Sequence, residues 1–567
     1  MFQNLQQLLC TANFSTKPID NQLISTHFIE VLEAIGVISM AYSQLEKTTS
    51  NYQYSDKAIR VVKCEENISN ILKEYTIGPA KVTIGLKSIL GEDDYPLIYC
   101  VDEPQIPQSI VNVIYRLTEA LLAEGYSSLP QTSKEIKRIC RDYKIDCSIF
   151  KDYFIEVKYY VERELSGYGP LYTLVNDPYI EEIAIDRANM PVAVFHSLYP
   201  LAWLDTNIVL SEAEIDYLAL TLSRRAGRTL SIAHPYAEGL LPEGHRIAAT
   251  YGREISRFGS SIVIRKHRQR PISIIELVKQ RVLSPLIAAY LWLLLDLKAP
   301  MLIVGPTASG KTTLLQALLG LIPASRRIVT IEDTPELNLL HHRRWDSLTT
   351  RYTYLSSEGE DVDLYKLAKF ALRRRADYLV IGEIRGEEAK LFIHAAVSGH
   401  GALATFHADT AESAILRLKA PPIEVGDAYI PALWSIIVVK RVHVPLKNAE
   451  MLGGVELRRV VTVKEVVEEN GTWKLQTVFR WLPAKDVHEP EEIDELLEKS
   501  RRLQAYSEHT NIGLETIKRE LKIRAYHITK MVESDIVSFE QVNSYVTRLD
   551  IERTIITLIK AEKEVKT

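Results

Sequence analysis

The chain has 567 residues, 46% hydrophobic and 25% charged, enough for three or four domains with substantial cores. Lys+Arg 68 against Asp+Glu 73 leaves a net charge of −5, so no overall basic surface calls for nucleic acid. The five cysteines (Cys10, Cys64, Cys100, Cys140, Cys147) are odd in number and form no C-x-x-C, which argues against a disulfide framework and a zinc ribbon and fits a reducing cytosol.

Residues 1–80 read as a variable, helical extension in which Phe28–Tyr42 has helix spacing with Glu30 and Glu33 on the wet face. Its start lacks the cationic stretch and apolar run of a signal peptide. Lys81–Val101 alternates like two strands around a turn at Gly91–Asp94, and Ser109–Glu124, Ser133–Cys140 and Tyr153–Leu165 read as helices. Gly167-Tyr168-Gly169-Pro170 is a strong stop and marks a domain boundary. Beyond it, Ile180–Ile185, Pro191–Phe195, Ile247–Tyr251 and Ser261–Arg265 read as strands. Ser211–Ala226 reads as a helix with Ser211 and Glu214 as its capping box. The apolar run Leu286–Leu295 is closed by Asp296 and Lys298, short of the roughly 18 residues that span a bilayer.

From Pro300 to about Pro445, short apolar runs alternate with helices, the pattern of a mostly parallel sheet of RecA type. Its strands are read at Met301–Val304, Ile328–Ile331, Tyr378–Ile381, Leu403–Phe406 and Ile436–Val439, followed by a hairpin, Leu457–Val467 with Trp473–Trp481, across Asn470-Gly471. Glu489 onward is charge-rich and helical. The expected division is 1–80, 81–166, 167–280, 281–485 and 486–567, the last a C-terminal helical module.

Four runs carry chemistry. GPTASGKT (Gly305–Thr312) fits G-x-x-x-x-G-K-[ST] at every fixed position, after a strand and before a helix. Gly305 and Gly310 free the backbone so that N–H groups converge as an anion nest at a helix N-terminus. Gly305, Pro306, Thr307, Ala308, Ser309, Gly310, Lys311, Thr312 and Thr313 would therefore cradle ATP, with Lys311 on the β- and γ-phosphates and Thr312 on Mg2+. IVTIEDTPEL (Ile328–Leu337) places Glu332 and Asp333 at the end of a strand expected beside the P-loop strand, with Glu336 on the turn; a solvated acidic turn is the equal alternative for this run alone. ADYLVIGEIRGEEA (Ala376–Ala389) is a second strand ending in acid, with Gly382 where an ordinary Walker B strand has Asp and Glu383 next to it. The missing carboxylate must then come from Glu332, Asp333 or Glu336. SGHGALATFHAD (Ser398–Asp409) carries His400, crowded by Gly399 and Gly401, and His407, a γ-phosphate sensor or a buried structural histidine. Two further runs are weaker: Leu355–Gly359 faintly resembles the transporter signature LSGGQ, and His341–Arg344 reads as a solvated loop or a phosphate patch.

In this order the four runs resemble the Walker A, Asp box, atypical Walker B and His box of the secretion-ATPase superfamily that powers type II secretion, type IV pili and the archaellum. Tyr159–Asp186 (YYVERELSGYGPLYTLVNDPYIEEIAID), Leu241–Thr250 (LPEGHRIAAT) and Ser260–His267 (SSIVIRKH) are similar to its archaeal branch, and the likeness runs from about Tyr95 to Trp481. The resemblance implies an α/β fold: a RecA-like P-loop core preceded by an α+β, PAS-like N-terminal domain and a further α/β extension. It implies that Arg246 and Arg265 are lent to the nucleotide, with Arg385 a further candidate, against solvated strand ends or a salt bridge as the plain alternative. Glu336 corresponds to the catalytic glutamate and Glu383 lies nearer Mg2+, shared with Thr312 and Asp333, although these two glutamate roles could exchange. A cytoplasmic homohexamer at the inner face of the membrane is implied, pushing on a polytopic platform protein and through it on pilin-like subunits, without direct nucleic-acid contact. The rivals are a nucleic-acid translocase or helicase on the same core, which would need a basic channel with stacking aromatics, and a regulatory ATP binder that does not hydrolyse.

Overall fold

The computed structural model describes residues 60–565 apart from 67, 89–95, 131, 149–151, 200–202, 268–269, 352–360, 446–453 and 470. The expected helix at Phe28–Tyr42, the turn at Gly91–Asp94 and the Leu355–Gly359 run lie outside the described residues. The chain forms two compact units, the first ending at Lys266 and the second beginning at His267.

The first unit is built on one nine-stranded sheet: β1 (Ile68–Ile77), β2 (Ala80–Lys87), β3 (Leu97–Asp102), β4 (Ile180–Ile185), β5 (Pro191–His196), β6 (Leu204–Val209), β7 (Tyr236–Leu240), β8 (Arg246–Thr250) and β9 (Ser261–Arg265). The order β1-β2-β3-β6-β5-β4-β9-β8-β7 carries the sheet across the boundary expected at Gly167–Pro170, because β3 pairs in parallel with β6. The stretches 81–166 and 167–280 therefore do not hold separate sheets. The expected helical character of 1–80 is also corrected at its end: Ile68–Ile77 is an edge strand paired with β2. Its sequence, ISNILKEYTI, lays mostly exposed residues along one ribbon, so its periodicity is weak. Helix Glu212–Arg225 starts on the reciprocal Ser211–Glu214 capping box that its sequence predicts.

The expectation of no disulfides fails. Cys64 is joined to Cys100 on β3, with Cα atoms 5.6 Å apart, and Cys140 to Cys147, at 6.2 Å. Counting cysteines along the chain cannot show that the segment before β1 runs beside β3, where Val62 N donates to Glu103 and Cys64 N to Asp102.

The second unit holds β10 (Met301–Gly305), β11 (Ile328–Glu332), β12 (Trp345–Thr349), β13 (Tyr378–Ile384), β14 (Gly401–His407), β15 (Ser435–Pro445), β16 (Gly454–Glu469), β17 (Thr472–Leu482) and β18 (Val487–Glu489). Their order is β12-β11-β13-β14-β10-β15-β16-β17-β18, parallel from β12 to β15 and antiparallel thereafter. Fully buried strands such as MLIVG and IVTIE read as continuous apolar runs because helices cover both faces. The Asp-box strand β11 is not beside the P-loop strand β10, as expected; β13 and β14 lie between them. The C-terminal helices do not form a module with its own core. Leu496, Leu503, Ile517, Leu521, Ile528 and Met531 share one apolar cluster with Trp292, Leu315 and Val463. Buried Glu465 locks that join, accepting from Tyr290 Oη (2.7 Å), Ser500 Oγ (2.5 Å) and Arg502 N (2.9 Å). No helix among the described residues is long and apolar enough to cross a membrane.

The Cys64–Cys100 link closes a loop of 36 residues in sequence separation, and such links stabilise by about 2–4 kcal/mol. Cys100→Ser should lower the urea midpoint of the first unit accordingly; the urea melt of the oxidised protein reads it.

Candidate active site

The P-loop follows β10. Gly305 has no room for a side chain: a Cβ there would meet Val439 O at 2.1 Å and Ser309 Oγ at 2.6 Å. Gly310 caps helix Lys311–Leu319 at φ 99°, a left-handed conformation that costs glycine little. Ser309 is fully buried, and its Oγ has no hydrogen-bond partner among the described residues. Lys311 is 7% exposed; its ammonium donates to Pro306 O at 2.9 Å and lies 3.3 Å from His407 Nδ1. A glycine-lined nest, an orphaned hydroxyl and a lysine curled onto its own loop fit a polyphosphate, which would draw Lys311 outward.

The four runs meet at the carboxyl edge of the parallel sheet, where open α/β sheets bind ligands. Gly305 and His407 are register partners on β10 and β14. His407 Nε2 lies 2.6 Å from Glu383 Oε1, a close polar approach that is not aligned as a hydrogen bond. Arg385 then bridges the acids, with Nη2 2.6 Å from Glu383 Oε2 and Nη1 3.4 Å from Asp333 Oδ2. A single line of contacts thus runs Lys311–His407–Glu383–Arg385–Asp333. Burial holds the His407 imidazole below its usual pKa, and the Lys311 ammonium adds to this.

Glu332 occupies a different place from Asp333. It is 2% exposed, and its Oε1 accepts from Glu336 N at 2.9 Å and Leu337 N at 3.0 Å. Its side chain lies over Gly382, where a Cβ would meet Glu332 Cγ at 2.9 Å. The glycine in the Walker B slot is thus the space that the neighbouring strand's glutamate fills. Oε2 is buried without a hydrogen-bond partner among the described residues. Glu332 therefore anchors the turn that carries Glu336 rather than facing solvent, and its burial raises the carboxyl to about 7 against the two backbone donors that lower it.

No group of three or more His, Cys, Asp or Glu is gathered as a metal cage among the described residues. Mg2+ binds through one or two carboxylates, phosphates and water, so Thr312, Asp333 and Glu383 fit it without one. His400 opens β14, at the opposite end from His407, and the room made by Gly401 belongs to the Tyr378 ring, 2.4 Å from its would-be Cβ. The His341–Arg344 run is not a phosphate patch of histidines: His342 is buried with Nε2 3.3 Å from Pro323 O, and His341 packs edge-on to Phe539.

In the first unit, Arg246 and Arg265 are direct register partners on β8 and β9, with Arg265 also 3.8 Å from Glu182. The sequence treats them as two separate strand residues; pairing makes them one concentrated positive edge. Two arginines went unnoticed in the sequence. Arg441 and Arg458 donate from Nε to Ala308 O at 3.2 and 3.4 Å. The signal available for them was only a basic alternation, K-R-V-H-V and L-R-R, on paired strands.

Burial lifts the Glu332 carboxyl from 4.5 to about 7 in the folded state, so its neutral form stabilises the fold fully below the lower value. That contribution is lost as pH rises through about 7, a loss of roughly 3 kcal/mol at 1.36 kcal/mol per pKa unit. Glu332→Gln holds the neutral form, so its urea midpoint should fall less than the wild type's between pH 5 and pH 8.

A family model described as type II/IV secretion system protein matches residues 169–471. An uncharacterized protein of Methanocaldococcus jannaschii is 34% identical over 453 residues, 77% of this chain and 76% of that protein. The type IV secretion system protein VirB11 of Brucella suis is 29% identical over 278 residues, 44% of this chain and 74% of that one. Among solved structures, the VirB11 ATPase from the Brucella suis type IV secretion system in complex with sulphate is 26% identical, covering 48% of this chain and 88% of that one at a TM-score of 0.24. With its P-loop, its RecA-like sheet and more than half its length inside the family model, the chain belongs to the type II/IV secretion system family.

Proposed function

We propose that the protein hydrolyses MgATP at the carboxyl edge of the second unit's sheet and uses the cycle to drive a type II/IV secretion or pilus machine. The observation that supports this best is the line of contacts from Lys311 through His407 and Glu383 to Arg385 and Asp333. It brings a lysine, a histidine, two acids and an arginine together beside one loop, which supports reading them as phosphate ligand, γ-phosphate sensor and metal ligands.

The P-loop amides and Lys311 hold the β- and γ-phosphates. Thr312, Glu383 and Asp333 would hold Mg2+, which would supply positive charge to offset that of the phosphates. Glu336 accepts a proton from the attacking water as its oxygen bonds to the γ-phosphorus. The bond to the ADP oxygen breaks, giving ADP and inorganic phosphate. Glu332 supports this step indirectly, by fixing the backbone of Glu336. His407, neutral and hydrogen-bonding, reports whether the γ-phosphate is present. Arg385 holds Glu383 and Asp333 together, and either carboxylate would have to leave it to serve as a metal ligand. Arg246 and Arg265 supply guanidinium charge to the transition state of a neighbouring copy in a homohexamer. The stroke acts on a polytopic membrane platform protein, and through it on pilin-like subunits, from the cytoplasmic face of the membrane.

Phosphate release tests the reading. Lys311→Ala and Glu336→Gln should each lower it by on the order of 10²-fold or more. Arg246→Ala and Arg265→Ala should lower turnover by up to about 10³-fold while leaving the melting temperature unchanged. Equal background release from wild type and all variants would remove the hydrolytic reading, and normal rates in the arginine variants would remove those residues from the site.

A further inference from the structure

Strand β15 outruns its neighbour. It pairs with β10 from Ser435 to Val438, opposite Met301 to Val304, and then continues to Pro445 past the tip where the P-loop begins. The overhang stays ordered because β16 pairs with it throughout, with Arg441 directly opposite Arg458. Directly opposed residues of an antiparallel pair share one face, about 4.5–5.5 Å apart at Cβ, and like charges there are destabilising.

Both guanidinium groups bend to the same spot. Their Nε atoms reach Ala308 O at 3.2 and 3.4 Å. Ala308 sits at mid-loop with φ 59°, a left-handed conformation that is uncommon for a residue with a Cβ. The stem of Arg458 also lies against Gly310, whose Cβ would meet Arg458 Cδ at 3.2 Å. Two arginines thus flank the loop on the side away from His407, since β15 and β14 lie on opposite sides of β10. Guanidinium forks suit phosphate oxygens in planar, two-bond contacts better than a neutral carbonyl.

We propose that Arg441 and Arg458 form a second phosphate-reading element of the nucleotide site, engaging the polyphosphate from the β15–β16 side while the Lys311 side holds its far end. The inference rests on the nucleotide reading above. On binding, the anion relieves the repulsion between the pair, and the arginines exchange the Ala308 carbonyl for phosphate oxygens. The site is thereby selective for the charged phosphate chain rather than for the nucleoside.

The test is binding of mant-ADP to the full chain, with adenosine and ADP as competitors. Arg441→Gln should weaken mant-ADP by about tenfold, the scale of one charge-assisted hydrogen bond, and the Arg441→Gln/Arg458→Gln double variant by more. Adenosine competition should not change. Arg441→Gln leaves the Arg458 stem on Gly310 in place, so it carries the test if the double variant melts early. Unchanged mant-ADP affinity, or an equal loss for adenosine and ADP, would overturn the proposal. Binding of mant-ADP by wild type and its loss in Lys311→Ala separates these outcomes from failure of the nucleotide reading itself, which would show as no binding by wild type.

Discussion

The contact on which the site depends is between two neighbouring strands. Glu332 of β11 fills the space left by Gly382 of β13, and its carboxyl receives the backbone N–H groups of Glu336 and Leu337. One buried side chain therefore sets the spacing of two strand tips and the direction of the turn between them. A side chain at position 382 would displace it, and an apolar residue at 332 would leave two backbone donors, that of Leu337 buried, without their acceptor. Because the carboxyl is kept near its neutral form, it can occupy this place without an ionised partner.

From that join the charged residues extend in order across the sheet edge. Asp333 and Glu383 would repel each other alone; Arg385 between them makes the pair tolerable. His407 links the acids to the lysine of the loop. Such a line of alternating charge can be redrawn by a triphosphate and a divalent cation, since each member has a partner it can exchange. Exchange of partners within a packed sheet edge is a route by which a small ligand biases a larger element. In the first unit, Arg246 and Arg265 are register partners at strand ends, Arg265 exposed and Arg246 half-buried.

Much of this was legible from residue order alone. Buried parallel strands are short apolar runs between glycines and caps, so the sequence places β10, β11, β13 and β14 to within a few residues, whereas β15, read as Ile436–Val439, runs on to Pro445 past its pairing with β10. The Ser211–Glu214 box and the P-loop are local, and local chemistry is written in adjacent letters. Strand order is not local. The Asp-box strand was expected beside the P-loop strand, and a crossover put two strands between them. The edge strands β1 and β12 escaped because half-exposed edges lack a clean period. Arg441 and Arg458 escaped because each sits in a short basic run that reads as the wet side of a hairpin; only the register brings them onto the loop. The Cys64–Cys100 disulfide is likewise not local, since the segment before β1 meets β3 only in the fold.

The most direct measurement is a crystal structure of the full chain with a non-hydrolysable ATP analogue and Mn2+, located by its anomalous signal. The account predicts the γ-phosphate within hydrogen-bond reach of Lys311 Nζ and His407, and the manganese within coordinating distance of Thr312 and at least one of Asp333 and Glu383. A metal bound away from both strand tips, or a triphosphate seated elsewhere than on the amides of the P-loop, would contradict it.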